Sequence, residues 1–438
     1  MINRDSFSKI DLLLFSVVVM TVSLGILMIY SAGFDPVLKV NNDLYKKQII
    51  WFIIGIVFFL VTTAVNYRQL SDYALYIYGF LIFAVILTLI FGKNIRGTQA
   101  WLSFGYFSIQ PAEFMKLGVV ILLAKYLEFR ERDLKKFKEL LVPTLITLLP
   151  VLLILKQPDL GTAAIFIPIL FTMLFVSGCD VAHLLSIVFI AVIAAIFPML
   201  LTYREWVGDK SSNILVEFFM HTDVLFSVAG ILLFLAVVTF IVNYYYPRTF
   251  LRRIYIPASV ISIGLFFSVV LQNSFQEYQK KRILVFLNPE LDPFGSGYNI
   301  IQSKVAVGSG GFFGKGFLSG TQSQLGFLPE TTSDFIFPVV AEELGFLGAV
   351  FLLALLATIV FRGIQIALTT KDKFGSLLAI GITSIFFYHI VVNVGVVLGI
   401  LPVTGIPLCF VSYGGSNLFM GMIGIGILNN IKMNRSTY

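Results

Sequence analysis

Charge is scarce in this chain of 438 residues: 13% are Asp, Glu, Lys or Arg, where a soluble globular protein carries about 25%. Cysteine is scarcer still. Cys179 and Cys409 stand far apart, which excludes a disulfide framework or a thiolate metal site, and Cys409 reads as a small apolar filler. The three histidines, His183, His221 and His389, are scattered. No His, Cys or carboxylate cluster has protein-metal spacing, and no Ser-His-Asp order stands out. His389, on an apolar run, reads as a packed or cavity histidine. No internal repeat is evident, so an inverted-repeat transporter gains no support. Alternating strands of about ten residues are missing, which excludes a transmembrane barrel. No polar stretch is large enough to fold alone.

What remains is apolar. The hydrophobic share is 58%, with 44 Phe, and mean hydropathy is +0.92. Runs of about 20 apolar residues recur from end to end, each long enough to cross a bilayer core. The first, "IDLLLFSVVVMTVSLGILMIY", exceeds a signal-peptide core of about 7–15 residues and reads as an uncleaved span. The fold class is an all-α polytopic membrane protein, one membrane domain over 1–438. About twelve spans are expected, near 10–30, 49–65, 74–91, 111–127, 139–155, 163–177, 184–202, 224–246, 254–271, 335–361, 376–400 and 413–431. With the N-terminus inside, the even-numbered connections are cytoplasmic. Together with both tails they hold roughly 16 of the 31 Lys and Arg, the bias of the positive-inside rule. Both termini are therefore expected in the cytoplasm, and residues 272–334 outside. The net charge of +7 follows this topology and calls for no nucleic acid.

That outer segment reads "FLNPELDPFGSGYNIIQSKVAVGSGGFFGKG" in its central part. It is not a P-loop: Ser309 and Gly316 stand where that motif needs Gly and Ser or Thr. Taken alone, Asp292 before Pro293 reads as a turn residue. The wider pattern is richer, because Asp292, Lys304, Lys315, Glu330 and Asp334 share one long outer loop. Other outer connections add to it. Pro111 starts a helix with Glu113 and Lys116 one turn apart on the same face. Lys156 and Asp159 flank "KQPDLGT", "ILPVTGIPLCFVSYGGSN" is broken by Pro and Gly, and Glu342 and Glu343 lie two turns inside the tenth span. Ionisable groups at membrane depth face a cavity or a partner, so a polar cavity open to the outer leaflet is one reading and structural ion pairs the other.

At these residues the chain resembles the SEDS family of shape, elongation, division and sporulation proteins, and its elongation branch above all. The signatures are "QPAEFMKL", "QPDLGT", "GILPVTGIPLCFVSYGGSN" and the block from "RILVFLNPELDPFGSGY" to "PETTSDFIFPVVAEELGFLG". The resemblance covers nearly the whole chain. It implies a SEDS-type helical bundle in the bacterial cytoplasmic membrane and a peptidoglycan glycosyltransferase active in cell elongation and rod-shape maintenance. Lipid II would be polymerised into glycan strands at the outer face, with a class B penicillin-binding protein and the elongation machinery as partners. The family's essential Asp falls on Asp292. Glu113, Lys116, Asp159, Lys304, Lys315, Gln322, Glu330 and Ser412 are the substrate-binding candidates. The chain departs from the family twice. Residues 203–253 are extra to a core of about ten spans and are expected to form an inserted helical hairpin, and Ala100 replaces a family Arg, with Arg96 nearby.

The expected chemistry is inverting hexosyl transfer. A sugar hydroxyl is a poor nucleophile until a base takes its proton, and a carboxylate opposite the leaving group suits inversion. Asp292 would be that base. Lys116, Lys304 and Lys315 would stabilise the departing diphosphate, with Glu113 orienting Lys116. No cofactor site of the protein's own is evident; Mg²⁺ or Mn²⁺ bridging the diphosphate is the expected ion. A lipid II flippase with the same outer cavity, and a scaffold recruiting the transpeptidase, are the rival readings.

Overall fold

The computed structural model describes all residues except 1–9, 36, 37, 39, 96, 97, 106, 131–136, 208–221, 275–284, 287, 294, 296 and 435–438. The chain divides into two units, one of Met1–Cys179 with Asn299–Tyr438 and one of Asp180–Tyr298.

The first unit opens with α1 (Leu12–Ala32), whose N-terminus is capped by Asp11: the carboxylate accepts from the Leu14 N–H at 3.2 Å, satisfying one of the donors a helix start leaves over. A two-stranded hairpin, β1 (Phe34–Asp35) and β2 (Val40–Asn41), leads to α2 (Leu44–Ala64). After Asn66, which caps through its side chain, come the short α3 (Tyr67–Asp72) and then α4 (Ala74–Phe91). A three-stranded antiparallel meander follows, β3 (Lys93–Ile95), β4 (Thr98–Phe104) and β5 (Phe107–Ile109). Alternation in "TQAWLSF" was too short a signal against the surrounding apolar helices for these strands to be read from sequence. Ala100 sits on β4, fully buried, where a long Arg side chain would find no room. Pro111 then occupies the first turn of α5 (Pro111–Leu127), where its missing N–H is no loss. α6 (Leu141–Leu155) and α7 (Leu160–Val176) complete this part.

The second unit holds α8 (Val181–Val207), α9 (Thr222–Tyr245) and α10 (Thr249–Ser274). α10 packs against both others. Leu225, Ala229, Leu265 and Val269 form its core with Ile193 and Phe197 against them, and the Ser262 hydroxyl donates to the Ala229 carbonyl at 2.7 Å. Of the expected insertion 203–253, the described part comprises the end of α8, all of α9 and the start of α10; residues 208–221 lie outside the described residues. α9 and α10 are joined by a short turn into a helical hairpin whose second arm runs to Ser274, beyond the expected bounds.

Beyond α11 (Tyr298–Ser309) and the single turn α12 (Thr321–Gln324), the first unit resumes with α13 (Ile336–Thr369), α14 (Lys373–Val397) and α15 (Gly415–Asn434). Among the described residues, twelve long helices match the twelve expected spans one for one. Among the described residues, nine are long and apolar enough to cross a membrane, and α7 is a shorter apolar helix. α5 and α15 are less apolar because they bury Glu113 and Lys116, and Asn417, Asn429 and Asn430. Both are buried along nearly their whole length, whereas α2 and α4 turn Ile53, Val57, Leu75, Phe80 and similar side chains outward, as lipid-facing helices do. The ends of the helices are pinned by polar contacts. Asp11 accepts from Arg362 (2.5 Å) and Lys432 (3.0 Å), and its N–H donates to Asn429. α1 therefore starts, and α15 ends, at one end of the bundle.

Candidate active site

Three polar clusters occupy the opposite end and the interior of the first unit. The deepest joins α5 to α14. Glu113 and Lys116 are one turn apart, and Lys116 donates to the Glu113 carboxylate at 2.8 Å with its side chain wholly buried. The same ammonium lies 2.8 Å from His389 Nε2, and His389 Nδ1 lies 3.0 Å from the Pro407 carbonyl. The two contacts are complementary when Nδ1 carries the proton: it donates to Pro407 while Nε2 accepts from Lys116. A charge buried at this depth needs both partners. His389 thus packs, as expected, and also seats the lysine, which the sequence reading missed. Asn393, one turn further along α14, donates to the Asp334 and Ile406 carbonyls, each at 2.8 Å. The signal was the spacing in "HIVVN", which puts both polar side chains on one face of an apolar helix.

The second cluster surrounds a break in α13. Gly345 has φ 68° and ψ −164°, a conformation essentially restricted to glycine. The break frees backbone groups, and the loop after α11 satisfies them. The N–H groups of Phe346 and Leu347 donate to the Gly311 and Phe312 carbonyls (2.9 and 3.3 Å), while Lys315 and Gly316 donate to the Glu342 and Glu343 carbonyls (2.9 and 3.0 Å). A Cβ on Gly310 would strike the Ala341 backbone and one on Gly314 the Glu343 backbone, so these two glycines serve this close approach of two backbones. The Glu342 side chain, fully buried, accepts from Lys315 Nζ (2.8 Å), from the Thr321 and Gln322 N–H groups (2.7 and 2.9 Å) and from Ser323 (3.2 Å). Lys315 and Gln322 are therefore brought together on one carboxylate. Glu343 accepts from Ser31 at the end of α1, at 2.5 Å.

The third cluster ties the remaining outer connections together. Asp159 caps α7, accepting from the Thr162 N–H (3.0 Å), its hydroxyl and Gln110 Nε2 (both 2.8 Å). The Gln110 N–H in turn donates to Ser416 (2.9 Å). Ser412 is buried; its hydroxyl donates to the Ser333 carbonyl at 2.6 Å and accepts from the Leu408 N–H. Glu330 is exposed, with φ 54°, and accepts from the Ser333 hydroxyl at 3.1 Å. Lys304 is exposed on α11, beside Gly399. Cys409 is buried against Asn417 at 3.3 Å, and burial pushes its thiol pKa up, which leaves it no role as a nucleophile.

Asp292 belongs to the second unit. It ends the single turn Pro289–Leu291, is half-buried, and its carbonyl accepts from the Gly295 and Gly297 N–H groups at 3.3 and 3.0 Å. A Cβ on Gly295 would press on the Asp292 carboxylate, so the turn requires glycine there. Arg96, His221 and, of the expected outer segment, residues 275–284, 287, 294 and 296 lie outside the described residues.

Known proteins resemble this chain along its whole length. The chain is 36% identical to the peptidoglycan glycosyltransferase RodA of Treponema pallidum over 434 residues, covering 97% of this chain and 98% of that protein. It is 33% identical to the peptidoglycan glycosyltransferase MrdB of Escherichia coli K12, over 93% of this chain and 90% of the relative. Among solved structures, a chain of a peptidoglycan synthase complex that coordinates polymerization and crosslinking superposes with a TM-score of 0.70 at 28% identity, covering 98% and 99% of the two chains. The rod shape determining protein RodA of Thermus thermophilus gives 0.59 at 25% identity, with 97% of each chain covered. A family model described as cell cycle protein, FtsW/RodA/SpoVE, matches residues 11–210 and 211–437, and its two matches meet inside the stretch read as an insertion. A chain matched over both of its halves in this way belongs to the FtsW/RodA/SpoVE family of multi-pass membrane proteins.

Proposed function

We propose that this chain is a peptidoglycan glycosyltransferase that polymerises lipid II into glycan strands at the outer face of the bacterial cytoplasmic membrane. The observation that carries the reading is the end-to-end match, at 36% identity, to a peptidoglycan glycosyltransferase. In this reading Asp292 takes the proton from the attacking sugar hydroxyl, as a general base must. A half-buried carboxylate on a tight, glycine-bearing turn suits that task. Of the three candidate lysines, Lys304 is the exposed one and is best suited to meet the lipid diphosphate. Lys116 is sealed with Glu113 and His389, and Lys315 is held by Glu342, so both are read as supporting the fold of the first unit. Asp159, Gln322, Glu330 and Ser412 shape the outer connections. Mg²⁺ or Mn²⁺ would arrive with the diphosphate as part of the substrate. Both termini lie in the cytoplasm, and a class B penicillin-binding protein crosslinks the strands as the chain's partner in elongation; a likeness to a synthase complex that couples the two reactions supports this.

Purified Asp292→Asn protein with lipid II tests the assignment. Loss of the base should lower the polymerisation rate on the order of 10²–10⁴-fold, with folding and lipid II binding retained. Glu290→Gln, two residues away, should keep most activity. Near-wild-type polymerisation by Asp292→Asn would remove the assignment and favour the flippase reading.

A further inference from the structure

We propose that the turn joining α9 to α10 is a binding surface for the phosphate headgroups of anionic phospholipids. The turn reads "NYYYPRTFLRR" and joins two helices, Asp223–Tyr245 and Thr249–Val270, that are each long and apolar enough to cross a membrane. It therefore lies at the depth where a bilayer presents its headgroups. Arg248, Arg252 and Arg253 are all exposed. Among the described residues, no carboxylate pairs with any of them, and the first turn of α10 carries no acid.

Their placement is unfavourable within the chain itself. A helix N-terminus bears the positive end of the backbone dipole, where cations cost stability and anions gain it. Here three guanidinium groups crowd that end of a helix of 26 residues. Arg248 and Arg252 are one turn apart, so they lie on one face. An external phosphate would meet the arginines at the positive end of the helix dipole. The aromatics fit the same partner. Tyr244, Tyr245 and Tyr246 are each at least 70% exposed and Phe250 is 67% exposed, and tyrosines collect where apolar chains give way to headgroups. The turn is braced for the purpose: the Arg248 N–H donates to the Asn243 side chain at 3.0 Å, and Phe240 meets Tyr255 edge-on at 5.6 Å just inside it. A protein partner is the competing occupant. Lipid is favoured because every bilayer supplies phosphates at this level, and nothing else about the turn selects a shape.

A photo-crosslinking residue, p-benzoylphenylalanine, placed at Tyr246 of the full chain in nanodiscs reads the local lipid. The nanodiscs hold phosphatidylcholine and phosphatidylglycerol in equal amounts, and adducts are counted by mass spectrometry. Phosphatidylglycerol adducts should exceed phosphatidylcholine adducts by about fivefold or more, the preference one cation near a membrane surface supplies. In the same protein, replacing all three arginines (Arg248→Gln, Arg252→Gln, Arg253→Gln) should bring the ratio close to unity, and the matching lysine triple should keep most of it. Glycan polymerisation by the variants, expected at the wild-type level, verifies their folding. An equal ratio in the unsubstituted turn, or a preference that survives the glutamine triple, overturns the proposal. So does cross-linking in cells that goes to a protein in place of lipid.

Discussion

At the residue scale, the buried ionic contacts have the most to lose. Lys116 is shared between Glu113 and His389 with no access to water. Removing one partner leaves a buried charge uncompensated, which costs about 3–5 kcal/mol. Glu113→Ala should therefore lower the thermal midpoint of the detergent-solubilised protein far more than Lys304→Ala, whose side chain is exposed. If the two variants unfold together, Lys116 is not held as described. Asp11 offers a pH signature. Burial opposes its ionisation, but hydrogen bonds from Lys432, the Leu14 N–H and Arg362 outweigh it and hold its pKa below the ordinary carboxylate value. A depressed folded-state pKa means stability that is complete above the unfolded value of about 3.9 and is lost as pH falls through the folded value. Asp11→Asn should unfold at a lower temperature than wild type at pH 7, and the gap should narrow in acid below about pH 4. A constant gap across that range would sink the linkage.

At the element scale, the break in α13 decides how the outer loop is held. Gly345 adopts a backbone conformation open essentially to glycine alone, and a Cβ there would meet the Gly314 and Phe313 backbone. Gly345→Ala should cost at least about 1–3 kcal/mol from backbone strain alone and loosen the strap between residues 310–316 and 341–347. Amide exchange should then rise at Lys315, Gly316, Phe346 and Leu347, whose N–H groups form the strap, before it rises in α14. Unchanged protection at those four amides would show that the strap does not depend on the glycine.

At the scale of the whole molecule, sidedness is the property to test. Asp11 and Lys432 meet at one end of the bundle, while Glu343 and Ser31 meet at the other, so the loop carrying Ser319 lies on the side opposite Asp11 and Lys432. Basic residues favour the cytoplasm for the ends. Ser319 is exposed, and a Ser319→Cys variant should react with a membrane-impermeant thiol reagent in intact cells. Reaction only after permeabilisation would invert the topology. Deleting residues 203–253 should leave appreciable polymerase activity in a folded protein, because α9, the helix wholly within it, packs on α10 inside the second unit; complete loss of activity with folding intact would overturn this.

Periodicity and composition were enough to determine the class and the twelve long helices of the described residues, while the family was legible only through the resemblance of its motifs. Helices that cross a bilayer must satisfy their backbones internally and present apolar side chains, so each span is written locally in about 20 residues. The motifs were equally legible, since Asp292, "QPDLGT" and the glycines stand in contiguous runs. Partnership was not. That Lys116 is seated by His389, 273 positions away, that Glu342 closes on Lys315 and the turn at Thr321–Ser323, and that Asp159 caps α7 while holding Gln110 are pairings between distant segments. Gly310 and Gly314 of the outer loop stand where the backbone of α13 comes closest, a pairing that no local pattern states. A local sequence states which groups are costly to bury. Only the tertiary structure decides which neighbour relieves each one, because that depends on which helices pack side by side.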